Sequence, residues 1–209
     1  SMDHNVFCTL TDLLSGDIEI EGGQILVSGK EAALPESRDV AVIKEQPTQN
    51  MIFKEMSYMD NLCFGLARRI PDIWVRRHIR ESIRREYKAE LGEEVFLMSP
   101  EELTEKQKYQ LVYMRVLLQR PKVVFCVQPF KGADMPHRMY VWEMLKMLLE
   151  KGIAVVILAV NLADSMAISD RLLRIDGNST VVEISQKEFF MAAEKNGWQI
   201  PYKKEYQAE

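Results

Sequence analysis

At 209 residues, 47% of them hydrophobic and 28% charged, the chain has ordinary globular composition and enough length for a real core. A net charge of -4 gives no global attraction to nucleic acid, and the three histidines, His4, His78 and His137, are too scattered for a histidine metal cluster. Cys8, Cys63 and Cys126 lack zinc-ligand spacing and read as free thiols of a reducing compartment. No apolar run is long enough to cross a bilayer and no signal peptide is visible, so a cytoplasmic location is expected. Ser1-Met2 reads as a tag remnant.

In chain order, Thr9 to Leu14 predicts a short helix stopped at Ser15-Gly16. Asp17 to Ile20 and Gln24 to Val27 alternate around Glu21-Gly22-Gly23, a hairpin signal. Val40 to Ile43 predicts a buried strand that opens into a polar loop from Lys44 to Asn50. From Met56 to Leu118 the pattern is helical. Ser57 caps a helix carrying Leu62 and Leu66 that ends at Pro71-Asp72. A second helix runs from Ile73 to Leu91, with Trp74, Ile79, Ile83 and Tyr87 near one face and arginines opposite, and stops at Gly92. Ser99-Pro100-Glu101-Glu102 predicts a further helix start with proline in first position.

The last third alternates between strand and helix. Val123 to Val127 and Ile153 to Val160 are apolar strands flanking an amphipathic helix from Met135 to Lys151. Asp164 to Ser169 is a short helix, Arg171 to Ile175 and Val181 to Ile184 form a hairpin around Asp176-Gly177-Asn178, and Gln186 to Lys195 is a terminal helix. Apolar strands alternating with helices imply an α/β domain with a mostly parallel sheet. The arginines Arg68, Arg69, Arg76, Arg77, Arg80, Arg84 and Arg85 could offer phosphate contacts, but Glu81, Glu86 and Glu90 interleave with them. Their i,i+4 spacing favours a solvated helix face over a nucleic-acid surface.

The most informative stretch is Val123-Val124-Phe125-Cys126-Val127-Gln128-Pro129-Phe130. It resembles the Walker B strand of an ATP-binding-cassette (ABC) ATPase, with Val127 and Gln128 where that family carries a metal-holding aspartate and a water-polarising glutamate. Other fragments fall in the same order. Leu13-Leu14-Ser15-Gly16 is similar to the end of the helix after a P-loop, and Met56 to Leu62 to the "vxENL" entry of the helical subdomain. Arg115 to Pro121 is similar to "RALLxxP", and Asp170-Arg171 to the "DR" before the last hairpin. The resemblance spans residues 9 to 185, is nearest to the sugar-import branch, and implies a P-loop-NTPase-related sheet with an inserted helical subdomain. On that basis residues 5–200 form one domain, with core segments 5–55 and 119–200, a helical subdomain 56–118, and a tail 201–209.

The resemblance also assigns the functional stations, and each is altered. Val6, Phe7 and Cys8 fall where the Walker A Gly-Lys-Ser/Thr belongs, so no phosphate loop is expected in this chain. Either the chain starts inside a longer cassette or that half has been lost; both stay open. The Q-loop position falls at Glu45 or Gln46. Leu103-Thr104-Glu105-Lys106-Gln107 occupies the LSGGQ signature and replaces its paired glycines with charges. Gly132-Ala133-Asp134 keeps the look of a D-loop, and the switch histidine falls at Val160.

Phosphoryl transfer depends on charge neutralisation by lysine, magnesium and loop amides. The altered stations therefore imply no catalytic residue, no metal site and no cofactor, with ATP and magnesium entering only if a partner completes a site. The implied role is a degenerate cassette of a sugar-type import system, structural or regulatory and not hydrolysing ATP alone. The implied partners are another cassette or a second copy, and a membrane permease, at the inner face of a membrane. Two alternatives are a stand-alone interaction module and a fragment of an active ATPase. The second is disfavoured because Val127, Gln128 and Val160 lie within the chain.

Overall fold

The computed structural model describes residues 4–32, 34, 37–66, 73–160, 168–175, 181–185, 187, 188, 191 and 195. The chain divides into two compact units, residues 1–23 with 157–209, and residues 24–156.

In the first unit, helix α1 (His4–Ser15) buries Phe7 and Leu14. It is longer than Thr9 to Leu14 because His4 to Cys8 continue the same helical pattern. The unit also contains a hairpin described by two strands, β6 (Arg171–Ile175) and β7 (Val181–Ser185), paired antiparallel with Leu173 opposite Glu183. The expected helix from Asp164, the Asp176-Gly177-Asn178 turn and most of the terminal helix lie outside the described residues, as does the tail.

The second unit opens with a hairpin of β1 (Leu26–Val27) and β2 (Lys30–Glu31). It sits C-terminal to the expected one. Ser28 (φ 52°) and Gly29 (φ 74°) supply the two consecutive positive φ angles that a two-residue turn needs. Asp17 to Ile20, although alternating, is not strand.

Strand β3 (Val40–Ile43) then pairs in parallel with β4 (Val123–Val127), Val40 opposite Val123 and Ile43 opposite Cys126. Strand β5 (Ala154–Leu158) completes the order β3-β4-β5. Its described span is shorter than Ile153 to Val160, with Ala154 N–H donating to the Lys122 carbonyl at 3.0 Å.

Between β3 and β4 lies the helical block, α2 (Pro47–Asn50), α3 (Tyr58–Cys63), α4 (Ile73–Leu91), a 3-10 turn (Glu94–Leu97) and α5 (Glu105–Gln119). Tyr58, Leu62, Ile83, Phe96, Leu111 and Met114 form its core, with Tyr58 edge-on to Phe96 at 6.1 Å. Ser57 caps α3 as expected, but the helix stops at Cys63, and Phe64 turns extended. On α4, Arg77 and Arg80 are solvated and paired, Arg77 to Glu81 at 3.3 Å and Arg80 to Asp60 at 2.7 Å.

Helix α5 is buried on all sides from Leu111 to Leu117, so it serves as the spine of the unit. It packs against α2, α3, β3 and α6 (Met135–Glu150). It ends at Arg120, left-handed at φ 50°, just before Pro121. Ser99-Pro100 does not start a helix. The Glu102 carboxylate takes the Ser99 N–H at 2.7 Å and its hydroxyl at 2.9 Å, which closes a turn instead.

Candidate functional site

In a parallel pair the carboxyl ends of adjacent strands emerge side by side, and ligand sites of open α/β sheets gather there. The register of β3 on β4, Ile43 opposite Cys126, carries Glu45 out beside Gln128. The side chains meet, with Gln128 Nε2 donating to Glu45 Oε2 at 3.0 Å. The carboxylate only accepts, so the amide must present its NH₂ side. The second carboxylate oxygen, Oε1, takes Lys131 Nζ at 2.8 Å. Lys131 is brought back over Glu45 by a turn from Gln128 to Lys131, closed by Lys131 N–H to Gln128 C=O at 3.0 Å. Pro129 holds the turn's second position and buried Phe130 anchors it.

Gln128 has φ 44° and Gln46 has φ 49°, left-handed conformations that non-glycine residues rarely adopt. Such outliers cluster at functional stations; here Gln128 sits where β4 hands over to its loop and Gln46 where the loop after β3 enters α2. Of the two Q-loop candidates it is Glu45 that reaches the β4 terminus. Gln46 is the residue before α2 and makes no side-chain capping bond.

The sequence resemblance implies a nucleotide with magnesium at these stations, and the side chains described there do not fit it. Val127 is buried and has no donor atom, Gln128 is a neutral amide, and the one carboxylate, Glu45, already spans Gln128 and Lys131. Among the described residues no group of three His, Cys, Asp or Glu side chains could hold a metal.

The signature-like stretch is a helix cap. Thr104 precedes α5, its hydroxyl accepts from Gln107 N–H at 3.3 Å, and Gln107 Oε1 accepts from Thr104 N–H at 2.9 Å. This is a reciprocal capping box. Leu103 is buried. The charges in the middle of the stretch are tied down locally, Glu105 to Lys108 at 2.7 Å and Lys106 to Glu143 at 3.1 Å. Lys106 also lies 5.8 Å from the Tyr140 ring centroid. Gln107 and Thr104 thus keep the capping chemistry while Glu105 places a side chain and a negative charge at the helix entrance.

At the D-loop-like stretch, Gly132 has φ 69° and Ala133 N–H donates to the Phe130 carbonyl at 3.3 Å. Asp134 caps α6, accepting from His137 N–H at 3.0 Å and from the His137 ring. These bonds hold the Asp134 carboxyl below its ordinary range. His137, for which no partner could be named from sequence, therefore has a carboxylate one helical turn back, and its ring lies tilted to Tyr109 at 6.1 Å and edge-on to Tyr140 at 6.0 Å. Val160, at the switch position, is 37% exposed and carries no titratable atom; its neighbour Asn161 lies outside the described residues.

Two residues gain a role from the structure that spacing does not reveal. Arg115 is 5% exposed and donates from Nη2 to the Met51 carbonyl, with its guanidinium 5.5 Å from the Phe53 ring centroid. Burial lowers its pKa to about 10. Asn61, fully buried, accepts from Phe53 N–H at 2.8 Å and donates to the Phe53 carbonyl at 2.8 Å. Together they pin the segment after α2 against α3 and α5. Phe53 and Phe64 remain exposed at 39% and 46%, with ring centroids 4.2 Å apart.

No family model matches the chain. It is 24% identical over 186 residues to the spermidine/putrescine import ATP-binding protein PotA of Mannheimia succiniciproducens, covering 87% of this chain and 48% of that protein. It is 28% identical over 87 residues to the xylose import ATP-binding protein XylG of Pseudomonas fluorescens, covering 39% of this chain and 17% of that protein. The chain spans about half the length of the PotA relative it matches. The structure of CbiO1 from Clostridium perfringens, described as part of the ABC transporter complex CbiONQ, superposes with a TM-score of 0.69 at 20% identity. That match covers 93% of this chain and 79% of CbiO1. The chain has the fold of an ABC ATPase and sequence homology to the ATP-binding domains of ABC transporters.

Proposed function

We propose that this chain is a degenerate cassette domain that acts as a structural or regulatory part of an ABC import system and does not hydrolyse ATP on its own. The observation that carries this reading is the β4 terminus, where Val127 and Gln128 stand at the two acidic positions and the neighbouring carboxylate of Glu45 is bound to Lys131. Phosphoryl transfer needs a cation and a polarised water at that place. Valine and glutamine supply neither.

In this reading residues 5–200 act as one cassette-like domain with helical subdomain 56–118, and no ATP or magnesium is held unless a partner cassette or a second copy completes a site. The Phe53–Phe64 pair, exposed beside the helical block, offers an apolar contact to a permease segment. No helix among the described residues is long and apolar enough to cross a membrane, so attachment through such a partner, at the cytoplasmic face, accounts for a place in an import system. The sugar-import branch draws support from XylG and the polyamine branch from PotA, which matches over more of the chain.

Phosphate release from ATP by the purified chain tests the reading. Turnover at background with and without magnesium is expected. Magnesium-dependent turnover that survives purification and is abolished by Glu45→Gln would overturn it.

A further inference from the structure

Resting on the reading of the β4 terminus as a disarmed Walker B end, we propose that Lys131 is a built-in replacement for the divalent cation, so that this station is occupied by the protein's own ammonium group. Three observations converge on it. The parallel register fixes Glu45 beside Gln128, and their side chains are joined at 3.0 Å. The Gln128–Lys131 turn, closed at 3.0 Å and anchored by buried Phe130, aims Lys131 back at the same carboxylate. Lys131 Nζ then lies 2.8 Å from Glu45 Oε1, leaving Gln128 on Oε2.

The charges at the station explain why this suffices. An acidic residue in place of Gln128 would set two carboxylates side by side, an arrangement relieved by a shared proton or a bound cation. The amide removes one negative charge, and Lys131 balances the other. The station is neutral without any bound ion, and both oxygens of Glu45 are engaged. Two consequences follow. The loop after β3 is clasped to the turn after β4 whatever the nucleotide state, and the affinity of the station for divalent cations is suppressed by Lys131 itself.

Manganese titration followed by electron paramagnetic resonance, without nucleotide, tests this on the wild-type chain, Gln128→Glu, Lys131→Met and the double variant. The wild type is expected to leave manganese free up to the millimolar range. Gln128→Glu, with Lys131 still between the carboxylates, should bind poorly, and the double variant at least tenfold more tightly than Gln128→Glu. A wild-type manganese site abolished by Glu45→Gln overturns the proposal, and so does a double variant no tighter than Gln128→Glu. Should the double variant fail to fold, hydrogen exchange on Lys131→Met decides. Faster exchange confined to residues 44–51 supports the clasp, and unchanged exchange there overturns it. Because the titration contains no ATP, ATP turnover by the wild type would sink the proposed function without touching this result.

Discussion

Asn61 spends its whole carboxamide on backbone: it takes the Phe53 N–H and reaches the carbonyls of Phe53, Met56 and Ser57 at 2.8, 3.0 and 3.2 Å. Replacing it by Leu takes the side-chain partner from the Phe53 N–H and the Met56 carbonyl, while the Phe53 and Ser57 carbonyls keep the Met56 and Asn61 N–H groups; each group left unpaired costs about 1–3 kcal/mol. Asn61→Leu is therefore expected to lower unfolding stability by roughly 2–4 kcal/mol in urea melts; a loss under about 0.5 kcal/mol would show that water replaces the amide there. Asp60, beside it, is held below its ordinary pKa of 3.8 by the Ser57 hydroxyl and, further, by Arg80. A depressed folded pKa gives stability that is present above the unfolded value and lost as pH falls through the folded one. The melting difference between the wild type and Asp60→Asn should thus be full at pH 6 and shrink below pH about 4. A difference that grows on acidification would reverse the sign of the assignment. Gln128 and Val127 could be singled out from sequence because they end a recognisable apolar strand. Lys131 could not, since its partner Glu45 is set by strand register and turn geometry rather than by spacing.

At the scale of elements, the start of α5 shows what the signature-like stretch does in this chain. Thr104 and Gln107 stand at the two positions a capping box needs, three apart, and both are used. Thr104→Ala is expected to lower stability by about 1 kcal/mol, read from urea midpoints at constant m-value. A change within error would mean that Glu105 and Lys108 carry the helix start without the cap. The same element explains a misreading. Ser99-Pro100-Glu101-Glu102 has the composition of a helix entrance, but Glu102 turns back on Ser99, and the helix begins five residues further on. In the N-terminal hairpin, alternation suggested Asp17 to Ile20, whereas Ser28 and Gly29 hold the positive φ angles that decide where a tight turn forms. The long elements α4, α5, β4 and α6 were legible because their apolar patterns persist over several turns or the whole strand. Short elements depend on single side-chain bonds.

For the whole molecule, order along the chain was more informative than any one motif. A strand into a polar loop, an inserted helical block, an apolar strand ending at Pro129 and a closing hairpin together indicate the ABC-ATPase fold, and the structural match to CbiO1 bears that out. The same fold in CbiO1 says nothing of chemistry, which resides in the stations. We propose that this chain's stations, on their own, do not take magnesium and nucleotide. The most direct measurement is a thermal-shift titration with Mg·ATP against EDTA and magnesium-only controls. A ligand at a hundred times its Kd stabilises the native state by about 2.7 kcal/mol, a rise of about 5–10 °C for a chain of this size. No rise up to millimolar Mg·ATP is the result predicted here, and a magnesium-dependent rise of that order would contradict it.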